Sequence, residues 1–88
     1  MKIWFEGKIE SLKDGIEYFG RELAYAVVPE GIPVLVEQRP GNIEIILENG
    51  KGIIRFQEKI HFFRALGVFC QHIEKQQGFK IVEEPQFD

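Results

Sequence analysis

Two histidines, one cysteine, an adjacent pair of glutamates and a lysine between glycines are the residues of this chain whose types could carry chemistry. His61 and His72 suggest a metal. They are eleven residues apart on one expected helix, about 16 Å along its axis at 1.5 Å per residue, so one ion cannot be held by both. Neither stands in an HExxH arrangement, and both are expected at the surface or its boundary.

Cys70 follows Phe69 on an apolar stripe. A nucleophilic thiol needs an accessible, electropositive setting, and no base is spaced to activate this one, so it reads as a packing residue. Glu83 and Glu84 could be an acid/base pair, but neighbours in a strand point to opposite faces and cannot work on one bond. Lys51 in "GKG" lacks phosphate-loop spacing and sits at an expected hairpin tip, which also separates it from the GXXG loop of a KH module. No nucleophile, base and anion-stabilising group are brought together by spacing. The chain itself is therefore expected to be inactive as an enzyme, with no catalytic residue, cofactor or metal.

The elements that would position such residues follow from hydrophobic periodicity. "KIWFE" sets Ile3 and Phe5 on one face and Trp4 on the other, a first strand. Ile9, Leu12, Ile16, Phe19 and Leu23 then recur at helical spacing, with Glu17 and Arg21 as an i,i+4 ion pair on the outer face; this predicts a helix over 10–26. Gly15 and Gly20 interrupt it and are expected to allow close packing on a sheet. "VPEGIP" cannot continue a helix.

"VLVEQ" (34–38), "NIEIILE" (42–48) and "GIIRFQ" (52–57) are strands. "RPG" joins the first two and Asn49-Gly50 the second two, which predicts a three-strand meander. Residues 58–76 return to helical spacing with Phe62, Phe63, Leu66, Phe69, Cys70 and Ile73 on one face, and "FKIVE" (79–83) is a last strand.

The expected architecture is α+β in the order β-α-β-β-β-α-β, a mostly antiparallel sheet with two helices packed on one face. With 88 residues, 44% of them apolar, a single domain spanning 1–88 with one core is expected. One cysteine excludes an internal disulfide, and a net charge of −3 with scattered cations argues against nucleic acid. No stretch approaches a membrane span or a secretory h-region, so a cytoplasmic protein with no membrane partner is expected.

Adjacent apolar residues such as Leu35-Val36, Ile45-Ile46, Ile53-Ile54 and Ile81-Val82 put apolar side chains on both faces of the sheet. Two helices cover one face, leaving part of the other for a partner.

"EKIHFFRALGVF" (58–69) and "FKIVEEPQFD" (79–88) resemble the N-terminal domain of glycoside hydrolase family 20, the β-N-acetylhexosaminidases. The resemblance extends in pattern over the whole chain and is most specific in "FFRALG" and "EEPQFD". It implies a small α+β domain, two helices on one side of its sheet, preceding a TIM-barrel catalytic domain that hydrolyses terminal N-acetyl-hexosamines from glycans. It also implies that 1–88 is a fragment ending at the boundary to that barrel. The family's catalytic Asp-Glu pair belongs to the barrel, so the role implied here is a non-catalytic accessory domain that packs against the barrel and stabilises it. Leu35, Ile46, Ile54, Val82, Pro85 and Phe87 are the residues expected at that contact. The alternative is a stand-alone interaction protein, associating through the open sheet face, for instance as a homodimer.

Overall fold

A computed structural model of the chain describes residues 1–75 and 77–85. Six strands and two helices run in the order β1 (Lys2–Gly7), a 3-10 turn (Glu10–Leu12), α1 (Lys13–Glu22), β2 (Ala26–Val27), β3 (Ile32–Gln38), β4 (Ile43–Glu48), β5 (Lys51–Phe56), α2 (Lys59–Ile73) and β6 (Phe79–Glu83). The class is α+β, with both helices on one face of a single sheet ordered β2-β1-β3-β5-β4-β6. Pairing is parallel from β2 through β1 and β3 to β5, and antiparallel from β5 through β4 to β6.

The expected meander is not what forms. β5 lies between β3 and β4, pairing Val34 with Gly52 on one side and Leu47 with Gly52 on the other. Only the β4–β5 hairpin is as expected: Asn49 and Gly50 both take positive φ, at 52° and 74°, as a type I′ turn demands. Pro40 cannot adopt that conformation, so the 39–42 link does not close a tight hairpin and steps across the end of β5 instead, where Arg39 N–H donates to the Phe56 carbonyl. Charge favours the same order. A four-residue loop over 39–42 would set Glu37 opposite Glu44, like charges that repel across a ladder. With β5 inserted, Arg55 stands opposite both.

The helix predicted over 10–26 is shorter. Leu23 N–H donates to Phe19, Ala24 turns into the left-handed region at φ 58°, and Tyr25 N–H returns to the Gly20 carbonyl, closing a Schellman-type end. The chain then forms the two-residue β2, which the Pro and Gly of the following stretch had obscured. Gly15 packs against the second helix rather than the sheet: a Cβ there would lie 2.1 Å from the Phe63 ring.

The core is the layer between helices and sheet. Ile3, Phe5, Val34, Val36, Ile45, Ile54 and Phe56 come from the sheet, and Leu12, Ile16, Phe62, Leu66 and Phe69 from the helical side. Phe62 is the hub, with rings of Phe5, Phe56 and Phe63 around it at centroid distances of 6.5, 5.3 and 5.1 Å. Burial of such side chains contributes about 1.5–3 kcal/mol each.

Candidate interaction face

The residues that could carry chemistry are dispersed. His61 is buried, 5% exposed, where a surface or boundary position was expected; the buried side of α2 includes His61 and Ala65 beside Phe62, Leu66, Phe69 and Cys70. His72 is half-buried, its Nδ1 2.9 Å from the Val68 carbonyl and its ring 5.7 Å from Phe79. Cys70 is buried, and desolvation pushes its thiol up to about 11, which suits packing and opposes nucleophilic use at neutral pH. Glu83 faces the helices, where Arg64 grips it through two hydrogen bonds of 3.2 and 3.0 Å; Glu84 is exposed beyond the strand end. Among the described residues, no group of three or more His, Cys, Asp or Glu could hold a metal. No described helix is long and apolar enough to cross a membrane.

The feature that does assemble is the uncovered face of the sheet. Register aligns Glu6, Leu35, Ile53, Ile46 and Lys80 in one row across β1, β3, β5, β4 and β6. The next row is Glu37, Arg55, Glu44 and Val82. Trp4 and Pro33 pair on the other side of the apolar row. Leu35, Val82 and Trp4 are 39%, 50% and 37% exposed, while Ile46 and Ile53 are half-buried by their neighbours alone.

The charged row is organised. Arg55 Nε donates to Glu37 at 3.0 Å and its Nη1 to Glu44 at 3.0 Å, while Arg39 reaches Glu44 at 3.1 Å. Arg55's hydrogen bond, helped by Arg39, holds the Glu44 carboxyl below the ordinary carboxylate range. Paired in this way, the charges form a neutral border along the apolar row.

Of the residues expected at a contact surface, Leu35, Ile46 and Val82 lie on this face. Ile54 does not: it is 0% exposed, between Val36 and Ile45 on the helix side. The strand alternates, so one residue of register decides the face, and Ile53 holds the position expected of Ile54. Pro85 is half-buried just after β6, and Phe87 lies outside the described residues. Sequence reasoning missed Trp4, Pro33 and the Glu37-Arg55-Glu44 ladder; the signal was the single Arg of β5 with acids at matching depth in β3 and β4.

No protein-family model, no curated protein and no solved structure matches this chain.

Proposed function

We propose that this chain is a non-catalytic interaction domain that associates through the open face of its sheet, and that the surface it meets is the same face of a second copy. The observation that carries the reading is the Leu35, Ile53, Ile46 row, an apolar strip on the side of the sheet that the helices do not cover. The second copy is favoured by charge. The whole chain carries −3, but this face balances Glu6, Glu37, Glu44 and Glu48 with Lys2, Lys51, Arg55 and Lys80, so it carries no net charge to repel a second copy of itself.

Sedimentation velocity of the purified chain over a range of concentrations tests this. A monomer–dimer equilibrium is expected, abolished by Ile53→Glu and unchanged by Tyr18→Glu on the helix side, where Tyr18 is 65% exposed. A monomer at every concentration, or a dimer indifferent to Ile53→Glu, refutes it.

The hexosaminidase resemblance supplies a second reading, a catalytic barrel on the same chain as occupant of this face. It is favoured by the two helices lying on one side of the sheet. A reading frame that continues past codon 88 into alternating strands and helices, with an Asp-Glu pair at a strand end, decides for the barrel.

A further inference from the structure

Trp4, at the outer edge of the open sheet face, also borders a hollow on the helix side. A cavity of about 700 Å³ lies between α1 and the β1–β2 edge, lined by Trp4, Phe5, Ile9, Ile16, Tyr25 and Val27. Gly15 lets α1 lean onto the Phe63 ring, with Phe19 and Phe63 centroids 5.3 Å apart, which sets the position of α1 over the sheet. Gly20 presents no side chain to the cavity. β2 pairs only with Lys2 and Ile3, so the edge of β1 beyond it stays open to the cavity.

The size suits a small ligand, and the walls suit an apolar one. The Tyr25 hydroxyl has no hydrogen to give a carboxylate, because it already donates to the Ile16 carbonyl. Polar recognition is left to the rim on α1, where Lys13, Glu17 and Arg21 follow one another at four-residue intervals. Lys13 is 4.0 Å from Glu10. The expected Glu17–Arg21 ion pair does not form, and Arg21 has no carboxylate within ion-pair distance among the described residues. An unengaged guanidinium beside an apolar hollow has the fork geometry of a carboxylate receptor.

We propose that this cavity binds a single-chain amphipathic monocarboxylate, its hydrocarbon tail against Trp4, Phe5, Ile16 and Val27 and its carboxylate on Arg21.

Trp4 is the only tryptophan of the chain and lines the cavity, so its fluorescence reports occupancy, read in the Ile53→Glu background as well because Trp4 also borders the open sheet face. The probe is decanoate, below its micelle concentration, with decanol as the uncharged match. Decanoate is expected to change Trp4 emission saturably. Arg21→Gln should weaken decanoate about fivefold to tenfold, the range for losing a partly solvated charge-assisted hydrogen-bond pair, and leave decanol unaffected. Val27→Glu, on an exposed β2 wall, should abolish decanoate binding, whereas Ile53→Glu on the open sheet face should leave it intact. Far-UV circular dichroism confirms that each variant is folded. The proposal is overturned by an absent or non-saturable Trp4 response, by equal affinity for acid and alcohol, by indifference to Arg21→Gln, or by loss in Ile53→Glu with retention in Val27→Glu. The last outcome would place the ligand on the dimer face.

Discussion

Gly52 should be the glycine whose replacement by alanine harms the fold although alanine is the better residue for an ordered chain. Its φ is not positive, so alanine fits the backbone without strain. The obstacle is above it. A Cβ would stand 2.9 Å from two Phe69 ring carbons and 3.0 Å from a Val34 methyl, against a comfortable carbon separation of about 3.5–4.0 Å. Phe69 cannot swing aside cheaply, being 0% exposed and held against the Phe79 ring at 5.8 Å. Overpacking of this kind costs about 1–3 kcal/mol, partly offset by about 0.5–1 kcal/mol from the lower entropy of the unfolded chain. The net expectation for Gly52→Ala is a loss of about 1–2 kcal/mol, or roughly 5–15 °C in melting temperature for a chain of this length.

Thermal and urea unfolding followed by far-UV circular dichroism measure it, with Gly67→Ala as the internal reference. Gly67 lies within α2 and a Cβ there meets nothing within 4 Å, so that variant should gain up to about 1 kcal/mol from helix propensity. Phe69→Leu in the Gly52→Ala background should cost less than the two single losses combined, because the smaller side chain vacates the contested space; a coupling of about 0.5 kcal/mol or more is expected. Gly52→Ala melting at or above the wild-type temperature, with no coupling to Phe69, would refute the packing argument.

Two further perturbations follow from single positions. Ala24 closes α1 in the left-handed region at φ 58°, so Ala24→Gly should stabilise by about 0.5–1 kcal/mol, seen as a higher urea midpoint at unchanged slope. Cys70 is raised from 9.0 to about 11 by burial, so the unfolded chain releases this proton at lower pH than the folded one. Stability attributable to Cys70 is therefore complete below about pH 9 and is lost as pH rises toward about 11, and Cys70→Ala should flatten that part of the stability profile.

Much of the α+β plan is legible in the chain. Helical spacing from Ile9 to Leu23 and from Phe62 to Ile73 marks both buried stripes, and alternation with Asn49-Gly50 marks the β4–β5 hairpin. These are local signals, set by side-chain direction and turn dihedrals within a few residues. The doublets of apolar residues in the strands also announce a sheet that is apolar on both sides.

The tertiary structure decided what periodicity cannot express. Alternation assigns residues to faces but says nothing about which strand is the neighbour, so the insertion of β5 between β3 and β4 depends on long-range pairing, including Arg55 between Glu37 and Glu44. Register settles Ile53 outward and Ile54 inward, a choice that a slip of one residue would reverse. Helical spacing places Glu17 and Arg21 within reach, yet the exposed pair gains too little in water to hold its long side chains together, and Arg21 is left at the cavity rim. The cavity is walled by α1 on one side and β1 and β2 on the other, and the seat of α1 rests in part on the contact of Gly15 with Phe63, 48 positions away, which only the folded chain brings together.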